Sequence, residues 1–206
     1  MKQDLSGRLT LTLVISRLEA EPRSLAELAE LAFDGGATAM QLREKELSDH
    51  DFYREALALR DLCRRRDKLF IINDRLDLAL AVEADGLHLG QTDLPAEAAV
   101  KLMPKNMILG VSVRTPDEAR AALAAGADYL GVGAVFPTGS KADASLATSA
   151  DLKEILALGV PSVAIGGLTT DNAAQAWALG FTGLAVISAL AAAPDPRQAA
   201  ARLLRK

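Results

Sequence analysis

The sequence contains a single cysteine, Cys63, and few aromatic residues, which make up 4% of the chain. A lone cysteine cannot form a disulfide within the chain, so we expect a protein of the reducing cytoplasm. We expect Cys63 to lie in a helix and to serve its packing. The sequence also lacks any run of about 18 apolar residues and an amino-terminal apolar segment followed by a cleavage site. We therefore expect neither a membrane span nor a secretory signal.

An excess of positive charge is also missing. The chain has 23 basic and 27 acidic residues, which gives a net charge of −4. A general binding surface for nucleic acid or for anionic membranes is therefore not expected. An anion would have to be captured by a local cluster of charged groups.

Short apolar segments and helical segments alternate along the chain. Apolar runs predict strands at 9–16, 38–43, 69–74, 86–90, 108–113, the start of 129–141, 162–167 and 183–188. Helical patterns follow them at 25–36, 48–66, 75–84, 95–103, 116–126, 148–158, 169–179 and 195–205. The strands are continuous apolar runs, which is typical of parallel strands that are buried on both faces.

Eight strand–helix units in 206 residues predict an α/β protein with a single (β/α)₈ TIM barrel. The sequence shows no linker and no low-complexity segment, so we expect residues 1–206 to form one catalytic domain. A doubly wound open sheet is the alternative fold that the same alternation leaves open.

Polar residues, two glycines and one isoleucine stand where the predicted strands end. In order, they are Gln41, Arg43, Lys45, Asn73, Asp74, Asp93, Ser112, Thr138, Ser140, Lys141, Gly166, Gly167, Ile187 and Ser188. Because the active sites of such barrels lie at the carboxyl ends of the strands, we expect these residues around one mouth. Three cations and two carboxylates would then meet there.

The charged members of this set are suited to a diphosphate and a metal ion. Arg43, Lys45 and Lys141 could hold a diphosphate, whose several negative charges need more than one cation. Asp74 and Asp93 supply hard oxygen ligands of the kind that Mg²⁺ prefers. Each residue also has a simpler interpretation. Arg43 and Lys45 could belong to a solvated charge run, Asp74 could cap the next helix, and Asp93 and Lys141 could be loop residues that bind nothing.

The ends of the last two strands suggest a second anion site. Many barrels bind a phosphate monoester there through backbone N–H groups, and Gly166, Gly167, Ile187 and Ser188 occupy these positions. The glycines could instead serve only as tight turns. A diphosphate half and a monophosphate half together predict transfer between two phosphorylated substrates rather than an isomerisation.

Seven ordered segments resemble the thiamine phosphate synthase family. They are QLREK (41–45), INDRLDLAL (72–80), DGLHLGQTD (85–93), GVSV (110–113), DYLGVGAVFPTGSK (128–141), VAIGGL (163–168) and AVISAL (185–190). The resemblance covers almost the whole chain. Seven segments in the same order are specific evidence for the family, whereas a single segment would not be. It implies an enzyme that joins 4-amino-2-methyl-5-hydroxymethylpyrimidine diphosphate to a thiazole phosphate. The products would be thiamine monophosphate and diphosphate.

The resemblance also implies a role for each of the strand-end residues. It implies Mg²⁺ at Asp74 and Asp93, diphosphate at Arg43, Lys45, Asn73 and Lys141, the pyrimidine at Gln41 and Ser112, and the thiazole phosphate at Thr138, Ser140, Gly167, Ile187 and Ser188. The catalytic residues would be Arg43, Lys45, Lys141 and Ser112. No side-chain nucleophile is needed, because the thiazole nitrogen would attack a cation stabilised by the pyrimidine.

One pair of residues and one single residue depart from the family pattern. Ser16 and Arg17 stand where the family commonly has a threonine–aspartate pair, and Ser140 stands where a threonine is frequent. His88 lies within a predicted strand, and we interpret it as a packed side chain rather than a catalytic one.

A thiazole tautomerase and a non-catalytic barrel that binds thiamine phosphates are the alternative functions. The sequence does not determine the oligomeric state, and a homo-oligomer is one of the states it allows.

Overall fold

The structure, a computed structural model, describes residues 5–138 and 146–205, and in these ranges eight strands alternate with helices. The strands are β1 Leu11–Ile15, β2 Ala39–Leu42, β3 Leu69–Asn73, β4 Gly86–Leu89, β5 Ile108–Val113, β6 Tyr129–Val132, β7 Ser162–Ile165 and β8 Gly183–Val186. The helices are α1 Leu5–Arg8, α2 Arg17–Ala20, α3 Leu25–Asp34, α4 Asp49–Arg65, α5 Leu76–Ala81, α6 Ala96–Leu102, α7 Pro116–Ala124, α8 Ser149–Leu156, α9 Ala173–Leu179, α10 Ser188–Ala191 and α11 Pro196–Leu203.

The eight strands form one closed parallel barrel in sequence order. Each strand pairs with the next, and β8 pairs with β1, where Thr12 lies opposite Ala185. The predicted (β/α)₈ TIM barrel is therefore confirmed, and the open doubly wound sheet is excluded because the sheet has no free edge. Closure also fixes which strands face each other, since β2, β3 and β4 lie across the barrel from β6, β7 and β8.

Successive residues of each strand point alternately into the barrel and toward the helices. Side chains such as Val14, Ile71 and Ile108 pack together in the barrel interior. Their neighbours Leu13, Ile72 and Leu109 belong to the larger cluster between strands and helices. Both faces are apolar, which explains why the strands read as continuous hydrophobic runs. Burying each of these side chains contributes about 1.5–3 kcal/mol to folding.

Side-chain caps fix where several helices begin. The hydroxyls of Ser24, Ser48, Thr115 and Thr148 and the carboxylate of Asp195 each accept a hydrogen bond from the backbone N–H three residues later. Each such cap is worth about 1 kcal/mol. The helices that follow therefore start at defined residues, which sets the position of the loops that precede them.

Directly after the first and the last strand, the structure has short helices that the sequence analysis did not predict. The first strand ends at Ile15, and Ser16 caps the short helix α2 through a reciprocal pair of hydrogen bonds with Glu19. The last strand ends at Val186, and Ser188 already belongs to α10. Both helices have four residues, which is too short for a helical period to appear in the sequence.

Two further expectations concern burial and the membrane. Cys63 is buried on the inner face of α4, and this burial raises the pKa of its thiol to about 12. The thiol stays protonated at neutral pH, as expected for a side chain that serves packing. Among the described residues, none of the helices combines the length and the apolar character that crossing a membrane requires.

Candidate active site

A cavity of about 690 Å³ opens at the carboxyl ends of the barrel strands. Most of the residues singled out in the sequence line it: Arg43, Lys45, Asn73, Asp74, Asp93, Ser112, Thr138, Gly166, Gly167, Ile187 and Ser188. Gln41 lies deeper and lines a small second cavity of about 10 Å³. The predicted site residues Ser140 and Lys141 lie outside the described residues.

Asp74 and Asp93 form a pair of neighbouring carboxyl groups. Burial, the hydrogen bond that the protonated Asp74 donates to Asp93 and the negative charge of Asp93 together raise the pKa of Asp74 to about 6. The charges of Lys45 and Arg43 act in the opposite direction. Asp93 is held in place because its Oδ2 accepts a hydrogen bond from the backbone N–H of Gly90 at 2.7 Å. Two carboxylates are thus kept close together in spite of their repulsion.

The backbone at Asp74 has the left-handed conformation, with φ of 65°. Its backbone N–H donates to the carbonyl of His88 on the neighbouring strand, at 2.9 Å. The residue at the N-cap position before α5 is Arg75, and that helix has no side-chain cap. The interpretation of Asp74 as a helix cap is therefore wrong. Asn and Asp tolerate positive φ better than most residues, which suits this position.

The end of β2 is tied to the end of β1 rather than left in solvent. The backbone N–H of Arg43 donates to the carbonyl of Ile15 at 2.9 Å, and that of Arg17 donates to the carboxylate of Glu44. Burial raises the pKa of Glu44, whereas this hydrogen bond lowers it. Glu44 thus turns toward the start of α2, whereas the two flanking cations, Arg43 and Lys45, line the cavity. The three residues are thus not a uniform solvated charge run.

The loop that follows β6 packs closely against the two glycines at the end of β7. Gly166 and Gly167 have φ of 95° and 66°. A Cβ atom on Gly167 would lie 2.6 Å from the carbonyl oxygen of Phe136, so no other residue fits there without moving the loop. The backbone N–H of Phe136 donates to the carbonyl of Gly166 at 3.1 Å. This contact brings Thr138 to the rim of the cavity.

Four polar side chains are connected below the cavity floor. His88 Nε2 lies 2.8 Å from Ser112 Oγ, and His88 Nδ1 lies 2.8 Å from the hydroxyl of Tyr129. Gln41 is hydrogen-bonded to the same hydroxyl. His88 is buried, in agreement with its interpretation as a packed residue. The role of Tyr129 was missed in the sequence, although it alternates with inward-facing Gly131 on β6.

Arg114 and Glu118 also line the cavity and were not singled out in the sequence. The carboxylate of Glu118 accepts hydrogen bonds from the backbone N–H groups of Arg114, at 2.6 Å, and Thr115, at 3.2 Å. The position of Arg114 directly after β5 is the signal that could have identified it. Its guanidinium adds a cation at a strand end, as the barrel architecture would suggest.

The residues present fit a divalent cation at Asp74 and Asp93. Two neighbouring carboxyl groups supply hard oxygen ligands. Burial, the hydrogen bond with Asp93 and the charge of Asp93 raise the pKa of Asp74, and a bound cation would favour its ionised form. Among residues 5–138 and 146–205, no three or more His, Cys, Asp and Glu side chains gather in a metal-binding arrangement. A cation held by this pair therefore needs further ligands from a substrate or from water.

Comparisons with known proteins agree with the resemblance seen in the sequence. The thiamine-phosphate synthase of Moorella thermoacetica is 53% identical over 183 residues, which cover 88% of this chain and 87% of that protein. The thiamine-phosphate synthase of Coprothermobacter proteolyticus is 46% identical over 204 residues, with 98% and 96% covered. The structure of thiamine phosphate pyrophosphorylase from Pyrococcus furiosus superposes with a TM-score of 0.89, at 41% identity, over 97% of this chain and 96% of that one.

The family model described as thiamine monophosphate synthase matches residues 11–190, from the first barrel strand to the helix after the last. This match covers most of the chain and includes every strand of the barrel. The resemblance stated from seven sequence segments is confirmed. The chain belongs to the thiamine monophosphate synthase family.

Proposed function

We propose that the protein joins 4-amino-2-methyl-5-hydroxymethylpyrimidine diphosphate to a thiazole phosphate, giving thiamine monophosphate and diphosphate. Its family makes the chain a transferase of thiamine biosynthesis. The observation that carries the proposal for the site is that one cavity has two halves with different anion chemistry. A transferase that acts on two phosphorylated substrates needs such a division.

The first half is built by β2, β3 and β4. It carries the cations Arg43 and Lys45 and the carboxylates Asp74 and Asp93. The second half lies across the closed barrel at β7 and β8, where Gly167 and its neighbours supply backbone rather than charged side chains. A diphosphate with a cation suits the charged half, and a phosphate monoester suits the backbone half.

Asp74 and Asp93 would hold Mg²⁺ together with oxygens of the diphosphate. When bound, Mg²⁺ would supply positive charge that stabilises these oxygens as they leave. Arg43, Lys45 and, by the family resemblance, Lys141 would contact the same group. A metal and several cations are needed because the leaving group gains negative charge as its bond to carbon breaks.

The bond changes require no nucleophilic side chain. The C–O bond between the pyrimidine methylene and the diphosphate breaks, and the electron pair leaves with the diphosphate. The aminopyrimidine ring stabilises the resulting cation. The lone pair of the thiazole nitrogen then forms the new C–N bond, which leaves the positive charge on the thiazolium. Because no proton has to move in this exchange, the site needs only to bind, orient and stabilise charge.

The thiazole phosphate would be held by its phosphate group. The backbone at Gly167, Ile187 and Ser188 and the hydroxyls of Thr138 and Ser140 are the proposed contacts. Fixing the phosphate aims the ring nitrogen at the methylene carbon, which replaces a bimolecular collision by an oriented one. The pyrimidine would lie between the two halves, against Ser112 and above Gln41.

An assay of diphosphate release tests the proposal. We expect release only when both substrates and Mg²⁺ are present, with equal amounts of thiamine monophosphate formed. A thiazole tautomerase would convert its substrate without releasing diphosphate. A non-catalytic barrel would bind thiamine monophosphate, detectable as a rise in melting temperature, with no turnover. Either of these two results would overturn the proposed function.

A further inference from the structure

Two glycines make room for a pair of rings inside the barrel. Gly110 on β5 lies opposite His88 on β4 and also opposite Tyr129 on β6. Since Gly110 has no side chain, the two rings approach each other over it, with centroids 5.5 Å apart. A Cβ atom on Gly110 would collide with the Tyr129 ring, and one on Gly131 would lie 2.8 Å from His88 Cε1. Glycine at these two barrel positions thus leaves the space that the two rings occupy.

The buried Tyr129 hydroxyl has two hydrogen-bond partners, Gln41 and His88 Nδ1. The Gln41 amide can donate to a hydroxyl through its N–H group or accept from it through Oε1, so these contacts allow two directions. In the direction that turns the Ser112 proton toward the cavity, Gln41 donates to the phenolic oxygen. The phenolic proton, which is rarely left unpaired when it is buried, is then donated to His88 Nδ1 at 2.8 Å.

The direction continues from His88 to the cavity. A neutral imidazole that accepts at Nδ1 carries its proton on Nε2. His88 Nε2–H therefore donates to Ser112 Oγ at 2.8 Å. Ser112 lines the cavity, and its backbone carbonyl is fixed by a hydrogen bond from the Gln91 side chain at 2.7 Å. With its oxygen already accepting from His88, the Ser112 hydroxyl directs its own proton elsewhere.

We propose that Tyr129 and His88 are positioning residues that hold the Ser112 hydroxyl as a hydrogen-bond donor toward an acceptor nitrogen of the pyrimidine, an inference that rests on the proposed function. Neither residue touches the substrate. They act through Ser112, and Gln41 begins the chain of hydrogen bonds. In the reverse arrangement Tyr129 donates to Gln41 Oε1 and Ser112 donates to His88 Nε2, so the Ser112 oxygen would face the pyrimidine as an acceptor.

This role predicts an effect on binding rather than on the chemical step. The pyrimidine ring becomes electron-poor as the C–O bond breaks, so its nitrogen lone pair accepts a hydrogen bond no better in the transition state than before. An interaction that is no stronger in the transition state than in the ground state lowers KM without raising kcat. We therefore expect Tyr129→Phe to raise the KM for the pyrimidine diphosphate about 3- to 10-fold. The kcat and the KM for the thiazole phosphate should stay unchanged.

A double-mutant cycle separates positioning from a general structural role. In a Ser112→Ala background, adding Tyr129→Phe should leave the KM for the pyrimidine diphosphate within about 2-fold of that of Ser112→Ala alone. If the two effects instead multiply, Tyr129 does not act through Ser112 and the inference fails. The chain has two tyrosines, and Tyr53→Phe on the surface of α4 is the matched control, with both KM values unchanged.

The tautomer of His88 can be measured without any substrate. The chain has only two histidines, His88 and the exposed His50, so ¹⁵N-histidine labelling of the wild-type protein gives two ring systems to assign. We expect a proton on Nε2 of His88 and an unprotonated Nδ1. A proton on Nδ1 would overturn the inference, even if Tyr129→Phe failed to fold. A wild-type protein with no turnover but the expected tautomer would refute the proposed function alone.

Discussion

Asp74→Asn is the substitution that best separates stability from activity in this protein. The pKa of Asp74 rises from 3.8 to about 6 through burial and the neighbouring Asp93, so the folded state disfavours its ionisation. Above pH 6 the ionised carboxylate destabilises the fold, and below about pH 4 this cost is absent because the group is protonated in both states. Asn removes the charge and tolerates the left-handed backbone at this position.

The size of the effect follows from the shift in pKa. A change of about two units corresponds to at most about 3 kcal/mol, since each unit is worth 1.36 kcal/mol. Asp74 is only half-buried, so solvent screening reduces this to about 1 kcal/mol. We expect Asp74→Asn to raise the Tm of the metal-free protein at pH 8 by about 2–4 °C. At pH 4 the two proteins should melt together, and Mg²⁺-dependent turnover should be largely lost at pH 8.

Asp77→Asn is the matched control for this experiment. A hydrogen bond from Arg75 lowers the pKa of Asp77, so the folded state favours its ionised form. Its replacement should therefore lower the Tm at pH 8 or leave it unchanged, and turnover should persist. If Asp74→Asn melted below the wild type at pH 8, burial and the neighbouring Asp93 would not make the ionised Asp74 a net cost to the fold, and the reasoning would be refuted.

Substitutions of three further residues test the proposed diphosphate and metal site. Asp93→Asn should keep the Tm of the fold but lose most Mg²⁺-dependent turnover, and an unchanged Mg²⁺ titration would show that Asp93 is not a ligand. Lys141→Ala should lower kcat by about 10²- to 10³-fold with a smaller rise in KM, and Lys141→Arg should recover part of it; wild-type kinetics in both would mean a solvated lysine. Arg43→Gln should raise the KM for the pyrimidine diphosphate and lower kcat, whereas Arg65→Gln on the exposed face of α4 should change neither.

The barrel could be predicted from the sequence because its strands are apolar on both faces. Runs such as 108–113 have no polar side chain except Ser112, which stands one position before the end of β5. The same pattern predicted which side chains meet at the mouth, since parallel strands in a barrel end on one side. The short helices α1, α2 and α10 were not predicted, because four residues are too few to show the helical period of apolar side chains. A capping pattern at Ser16 and Glu19 was present and could have identified α2.

Details of the site depend on contacts between distant residues, and these were out of reach of the sequence. The raised pKa of Asp74 depends on Asp93, which follows a strand that is its neighbour only in the fold. The position of Gln41 is a second example. As the residue next to last on β2, it points into the barrel and lies below the cavity, hydrogen-bonded to Tyr129. Strand-end position alone does not distinguish the rim from the floor.

A crystal structure with diphosphate, thiamine monophosphate and Mn²⁺ in place of Mg²⁺ tests the central claim most directly. The anomalous signal of Mn²⁺ identifies the metal independently of the model for the ligands. We predict one strong peak between the carboxylates of Asp74 and Asp93, about 2.1 Å from their oxygens and from oxygens of the diphosphate. The thiamine phosphate group should lie at Gly167 and Ser188. A metal bound away from both carboxylates, or products bound at the opposite end of the barrel, would contradict the account.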